Sequence, residues 1–378
     1  MVKRYIEYVF CNDDEKPLQS CIDNLLSYFS TRNLSQNNIL FLTVFTHTNK
    51  ENFYKKRSDI NQLFNDNQFS IPHIEIAQSC FVSEIAFEVQ FIEGDFEVIE
   101  SNQKFKIIKS ADAIELYASA FCEHNYDNFQ QSTDKVFEQV NKILSKYKFE
   151  INTIVRQWNY IEDILKISET GQHYQIFNDA RSVFYNLDKW EAGYPAATGI
   201  GVNAGGVSIV FYAFIPISDI LIIPLNNPLQ KDAHRYSKEV LVGDSMEAKT
   251  TPKFERGKLI LRDDGFDIFV SGTAAIIGEE ANEKSGAGQQ TLTTIQNIEK
   301  LIELDNVKKN FRGFPEFKKV NISNIRVYIK NQSDFENVKQ ICEANYPNIP
   351  IIYLQADVCR DELLVEIEAN CFGLKLQE

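Results

Sequence analysis

Leu363-Leu364-Val365-Glu366-Ile367-Glu368-Ala369 follows the loop Asp357-Val358-Cys359-Arg360-Asp361 and alternates apolar with acidic side chains. That is the two-residue period of a β-strand, so Glu366 and Glu368 share one face while Val365, Ile367 and Ala369 share the other. The ordinary reading is a half-buried antiparallel strand whose acidic face meets water. A second reading is chemical. A carboxyl set among apolar neighbours has its pKa raised toward neutrality and becomes a proton donor.

Upstream, the chain supplies what such a strand needs to pair with. Residues 266–275 (FDIFVSGTAA) are aromatic and β-branched and end in a Ser-Gly-Thr turn. Over 291–304, Leu292, Ile295, Ile298, Leu301 and Ile302 have the spacing of one helical face. Residues 322–329 (ISNIRVYI) read as a strand. Ser333 with Glu336 three residues on predicts a capping box opening a helix that Tyr346-Pro347 ends, and 349–354 is a short strand. The middle of the chain repeats this order: strand 114–120, helix 132–147, strand 154–160, helix 174–185 and closing strand 207–214. Where the later copy has Glu366, the earlier one has Ile209-Val210-Phe211, which places any chemistry in one copy only. The first hundred residues show strands near 4–10 and 39–45 and a helix near 19–29.

The 378 residues carry a net charge of −14, with 44% hydrophobic and 24% charged residues, the composition of an ordinary globular protein. Scattered positive charge argues against nucleic acid or an anionic membrane as partner, and a small anionic substrate would need a local Arg or Lys cluster. The seven cysteines (11, 21, 80, 122, 342, 359, 371) form no CxxC pair, and the five histidines are isolated, so no metal is expected. An odd cysteine count behind Met1-Val2-Lys3-Arg4-Tyr5, which is no secretory leader, predicts reduced thiols and a cytoplasmic location. No apolar run reaches the ~18 residues of a membrane span.

The segments VRQWNYI (155–161), YQIFNDARSVFY (174–185), PAATGIG (195–201), FVSGTAAIIGEE (269–280), QTLTTIQNI (290–298) and ADVCRDELLVEIEA (356–369) together resemble the chorismatase family. The resemblance covers residues 150 to 378. It implies an α/β (α+β) protein built from two tandem RidA/YjgF-like units, each a mixed sheet with helices on one face. The expected division is an N-terminal segment (1–100, partly unassigned), a first unit (101–225) lacking the acid, a connecting region with an insertion (226–257), and a second unit (258–378) carrying it.

The family reaction splits chorismate into pyruvate and a ring acid, either a dihydroxycyclohexadiene carboxylate or a hydroxybenzoate, with 3-hydroxybenzoate favoured here. Its first step is protonation of the enol-ether methylene. That requires a carboxylic acid kept protonated near neutrality, and Glu366 matches the family's glutamate. Glu368, on the same face, helps hold one proton between the two. A dianionic substrate calls for fixed donors, and the candidates are Arg181, Arg156, Arg235, Arg256 and Arg360, with Tyr174. Packing or a solvated helix face accounts equally for several of them. Gly272 and Thr273 form a turn whose backbone N–H groups can approach the substrate. The resemblance places a thiol at Cys359 in members that form 3-hydroxybenzoate; a structural buried cysteine is the alternative.

Two departures stand out. The family's histidine after the SGTA segment is replaced by Glu279-Glu280, and the stretch after NPxQ by His234-Arg235-Tyr236-Ser237 with an insertion through Pro252, whose polar part, 243–253, reads as an exposed loop. An imine/enamine deaminase on the same fold is the competing enzyme, but the position where it needs an arginine is Ile351. A non-catalytic small-molecule-binding protein is the competing class. The expected partner is the small anionic substrate, with no cofactor. A monomer is favoured, two or more copies in one chain mimicking the ring that single units form.

Overall fold

Residues 39–46 (ILFLTVFT) are apolar on both faces, so as a strand they must be covered on both sides. That requirement organises the whole chain. The computed structural model describes residues 2–11, 17–123, 128–237, 250–281, 285–311, 316–317 and 319–375.

A first sheet takes in β1 (Lys3–Cys11), β2 (Ile39–Thr46), β3 (His73–Ile76) and β4 (Ile85–Glu93), with α1 (Pro17–Thr31) and α2 (Phe53–Asp66) in the connections. A second contains β5 (Glu97–Ser101), β6 (Phe105–Lys109), β7 (Ala113–Phe121), β8 (Ile154–Glu162), β11 (Ala196–Val202) and β12 (Val207–Pro216). Its helices are α3 (Phe129–Lys146) and α4 (His173–Tyr185), the latter entered through the small hairpin β9 (Ile167–Ser168) and β10 (Gly171–Gln172). A third contains β13 (Leu221–Leu225), β14 (Gly257–Leu261), β15 (Gly265–Ala274), β18 (Asn321–Ile329), β19 (Ile351–Gln355) and β20 (Val365–Leu374). It carries the hairpin β16 (Ile276–Ile277) and β17 (Glu280–Ala281), and the helices α5 (Ala287–Ile302), α6 (Leu304–Asn310) and α7 (Phe335–Asn345).

Each sheet contains the same wiring. The strand orders are β1-β4-β2-β3, β7-β12-β8-β11 and β15-β20-β18-β19, the second and third read within six-stranded sheets. In all three the last strand of the chain segment lies between the first and second and runs antiparallel to both, and the second is parallel to the third. The two units read from the sequence therefore have a third companion in the first hundred residues. The register also refines the comparison between copies. Lys330 N donates to Leu364 O, Glu162 N to Gly206 O and His47 N to Glu84 O, so Glu366 corresponds to Ser208 and Ala86, one position before the apolar run 209–211.

Helices cover one face of each sheet: α1 and α2 the first, α3 and α4 the second, α5 and α7 the third. The opposite faces meet one another in a shared core that takes Phe41 and Phe45, Trp158 and Tyr160, and Tyr328 and Leu354 from the three units. Strand alternation thus sorts each sheet into a helix side and an inter-sheet side. The capping box expected at Ser333 and Glu336 does not form. A 3₁₀ turn at Gln332–Asp334 leads into α7, and Asp334 makes no side-chain cap. Of the polar stretch 243–253, residues 243–249 fall outside the described residues. Thr250 lies against α4, its carbonyl accepting from Gln175 Nε2 at 3.2 Å, rather than standing free as an exposed loop.

Candidate active site

On β20, Val365, Ile367 and Ala369 enter the helix-side core. Period-two alternation then turns Glu366 and Glu368 toward the space between sheets. Of the two readings of this acidic face, water or burial, the structure has burial: the carboxyl residues are 5% and 3% exposed. The third sheet packs that face against the second unit.

The two carboxyls are treated in opposite ways. Glu368 accepts hydrogen bonds from Arg156 Nη2 (2.8 Å), Trp158 Nε1 (2.8 Å) and the Thr198 hydroxyl, and lies 3.3 Å from Arg326 Nη1. Burial alone would raise its pKa, but the Arg156 and Arg326 charges and these hydrogen bonds bring it below the ordinary value, so it stays a carboxylate. Glu366 has no hydrogen bond to any described residue. Burial first, and then the Glu368 charge, push its pKa up to about 8, against the opposing pull of Arg156 and Arg256. One strand thus holds a fixed anion and a carboxylic acid protonated at neutral pH.

Glu366 opens into a cavity between α4 and β11 of the second unit and β15 with the 356–366 segment of the third. A bulge between Val270 and Thr273 bends β15 here. Gly272 sits in it, and a Cβ at that position would collide with Glu366 Oε1, so glycine makes the room for the acid. On the facing wall Gly199 leaves space for the Tyr174 ring. The α4 residues Tyr174, Asn178 and Arg181 recur at three- and four-residue spacing and so share one face toward the cavity.

Arg181, Arg256 and Arg360 all line this space, and among the described residues none has a carboxylate within ion-pairing distance. Arg181 (2% exposed) donates to Asn178 Oδ1 at 2.5 Å, while its Nε and the Asn178 Nδ2 find no partner. Arg256 (3% exposed) donates to Lys231 O and to Tyr236 Oη, and Arg360 to Glu279 O. Buried guanidinium groups satisfied only by neutral acceptors are prepared for an anion. Cys359 also lines the cavity, and burial together with the Glu366 charge pushes its thiol up to about 12, so it is neutral. Burial likewise raises the Tyr174 phenol far above its usual range.

Four residues expected to bind substrate do not line the cavity. Arg156 and Glu368 are paired to each other beneath it. Thr273 turns its hydroxyl back to Ser271 O at 2.8 Å. Arg235, whose side chain is 70% exposed, pairs with Asp232 at 3.4 Å. Gly272, Tyr174, Arg181, Arg256, Cys359 and Glu366 do come together. Sequence reasoning passed over Asn178, Tyr236 and Arg326. The last makes a bidentate pair with Glu88 of the first unit, with Nε–Oε2 at 2.5 Å, and donates to Tyr160 Oη, and only the meeting of three sheets reveals it.

The substituted segment has a structural role. Glu279 accepts from Ser237 N (2.8 Å) and Lys231 Nζ (2.9 Å), which hold its carboxyl down at about 2, and its carbonyl anchors Arg360. No cluster of three His, Cys, Asp or Glu suited to a metal occurs among the described residues, and no described helix is long and apolar enough to cross a membrane.

Residues 95–213 match the chorismatase FkbO/Hyg5-like N-terminal family. The chain is 29% identical over 248 residues to a 3-hydroxybenzoate synthase of Streptomyces hygroscopicus, covering 64% of this chain and 69% of that protein. It is 28% identical over 222 residues to a chorismatase of the same organism, covering 57% and 60%. A chorismatase of Streptomyces rapamycinicus is 29% identical over 224 residues, covering 57% and 63%. A chorismatase crystal structure superposes with a TM-score of 0.71 over 98% of both chains at 19% identity, a likeness of fold. This chain is thus similar to chorismatases, matching the FkbO/Hyg5-like N-terminal model at residues 95–213 and a chorismatase fold over 98% of its length.

Proposed function

We propose that this protein cleaves chorismate into pyruvate and a hydroxylated ring acid, with Glu366 as the proton donor. The observation that carries the reading is the pairing of a buried, protonated carboxyl with three cavity arginines that have no carboxylate partner among the described residues. A dianion with an acid-labile enol ether fits both features.

The Glu366 proton forms a C–H bond to the terminal methylene, the alkene electrons supplying the pair. The ether oxygen shares the resulting positive charge as an oxocarbenium ion, and Glu366 becomes a carboxylate beside it. If water adds to that carbon, it gives one proton to the Glu366 carboxylate, and the hemiketal's remaining hydroxyl proton passes to the ring oxygen as that C–O bond breaks. The products are then pyruvate and a dihydroxycyclohexadiene carboxylate, with one water consumed. If the neighbouring ring hydroxyl adds to that carbon instead, its proton goes to the Glu366 carboxylate, and its own bond to the ring then breaks. The ring carbon bearing the ether oxygen loses its hydrogen as a proton so that the ring becomes aromatic. The side chain departs as pyruvate while the ether oxygen takes that proton as the phenol of a hydroxybenzoate, with no net water.

The second branch, giving 3-hydroxybenzoate, is favoured. The neutral Cys359 thiol lines the cavity with Glu366, and sulfur is a weak hydrogen-bonding partner for a hydrolytic water. The naming of the Streptomyces hygroscopicus relative as a 3-hydroxybenzoate synthase supports the same branch.

The test is pyruvate release from chorismate by wild type and by Glu366→Gln, with chromatography of the ring product. Pyruvate from wild type and a large loss in the variant are expected. A folded wild type that releases none would overturn the reading. Cys359→Ser, whose hydroxyl can hold a water, should shift the ring products toward the diol; an unchanged ratio would remove the thiol from the choice of branch.

A further inference from the structure

We infer that the protein has a second small-molecule site, a cavity where all three units meet, and that it takes a flat aromatic amine with the ammonium group toward its mouth.

This cavity is distinct from the one at Glu366 and larger. The correspondence of Glu366, Ser208 and Ala86 leads, four residues on, to Asn370, Tyr212 and Gln90. Their register partners on β15, β7 and β1 are Phe269, Tyr117 and Ile6. All six line the cavity, so one level of it takes the same two positions from each unit. It is therefore central to the three units rather than part of one seam.

At this level the walls offer aromatic surface and unused acceptors. Tyr117 stacks on Tyr212 with 4.6 Å between centroids, and Phe269 meets Tyr212 edge-on at 5.7 Å. Trp158, paired with Val210 two residues further in, adds a third kind of ring. Gln90 is 5% exposed, and its Nε2 donates to the Glu88 carboxylate at 2.9 Å. A carboxylate only accepts, which fixes the amide this way round and leaves its oxygen as the spare atom. Asn370 likewise gives its Nδ2 to Asn324 Oδ1 at 3.1 Å. Among the described residues no donor reaches either amide oxygen. Buried acceptors of this kind call for N–H groups.

Two residues nearer the mouth, charged side chains satisfy one another. Arg4 pairs with Glu115, and Arg262 lies 3.3 Å from Asp112 and donates to Asp267. At the mouth itself Asp95, Asp219, Asp263 and Asp264 have no cation within ion-pairing distance among the described residues. Lys3 lines the mouth as well and reaches none of them. The uncompensated charge is negative. It repels carboxylates and draws in an ammonium group, whose attached ring the aromatic walls accept.

Tryptamine is the probe, with indole-3-propionate as its anionic counterpart, and calorimetric titration measures both. Wild type should bind one tryptamine per chain and hold indole-3-propionate ~10-fold or more weaker. Ala111→Trp puts a ring in the exposed turn between β6 and β7 at the mouth. It should weaken tryptamine by ~10-fold or more with the melting temperature unchanged. The double variant Asp263→Asn, Asp264→Asn should weaken tryptamine by about 3- to 10-fold, and it covers the case in which the tryptophan variant does not fold. No tryptamine binding by wild type, equal binding of the two probes, or full tryptamine affinity in either folded variant overturns the site.

Discussion

The seam between the second and third units is open, and the seam between the first and second is closed, although the same wiring builds both. In the open seam Gly199 on β11 contributes no side chain, and Arg181 on α4 has no carboxylate partner among the described residues. By strand register Gly199 corresponds to Glu75 on β3. Glu75 places its carboxylate 3.3 Å from Arg57 on α2, the helix equivalent to α4. The Arg57 guanidinium is packed against Phe53 and Phe121, at 4.4 Å and 4.5 Å, and donates to the carbonyls of Cys122 and Glu75. Where the open seam waits for a ligand's anion, the closed one contains its own. Ser208 stands at the position of Glu366, so the closed seam lacks the acid as well. A cavity between repeated units is kept open by withholding a side chain and a counter-charge, and filled by supplying them.

The largest effect should come from removing the acid that distinguishes the open seam. Glu366→Gln is expected to lower kcat for pyruvate release by ~10²–10⁴-fold. In wild type the rate should be sustained below pH 8 and fall as pH rises through about 8, where Glu366 loses its proton; a rate that climbs through that range would contradict the assignment. The same raised pKa makes Glu366 a cost to the fold. Its stabilising contribution is complete below the unfolded carboxyl value and lost as pH rises to about 8, by roughly 1.4 kcal/mol per unit of separation. Thermal melts should therefore show Glu366→Gln more stable than wild type above pH 8.

Next comes the network joining all three units. Glu88→Gln leaves Arg326 short of its bidentate partner and should cost ~3–5 kcal/mol in urea unfolding, with the midpoint shifted and the slope unchanged. Gly199→Glu should then make the open seam resemble the closed one. The new carboxylate would crowd Tyr174 and compete for Arg181, lowering kcat/KM by about 100-fold with little loss of melting temperature. Full activity in this variant would break the comparison. The smallest change is Glu75→Gln in the closed seam. It should cost ~1–3 kcal/mol of stability, because Arg57 keeps two carbonyl acceptors, and leave pyruvate release untouched.

Much of the molecule is legible in one dimension. The alternation of 363–369 and the helical spacing of Val136, Phe137, Val140 and Leu144 predict β20 and α3 because local periodicity mirrors which face is buried. The first hundred residues share the wiring without sharing residues. The strand ILFLTVFT is apolar on both sides and shows no alternation to compare. Among the site residues, Glu366, Arg181 and Cys359 announce themselves by type and segment. Arg156 and Arg181 look alike in sequence, each a cation among aromatics. Only the partner across the seam, Glu368 for the first and none among the described residues for the second, separates a structural arginine from a cavity one.

The sequence by itself determined the order of elements, the facing of Glu366 and Glu368 to one side, and the candidate acid, since each follows from residue spacing along a single strand or helix. The tertiary structure alone decided that this acidic face is buried, that one of the two carboxyls is neutralised by Arg156 and Arg326 and the other left protonated, and that one seam opens while its equivalent is filled. Burial and counter-charge depend on residues from different units, hundreds of positions apart in the chain, and no local pattern records which of them meet.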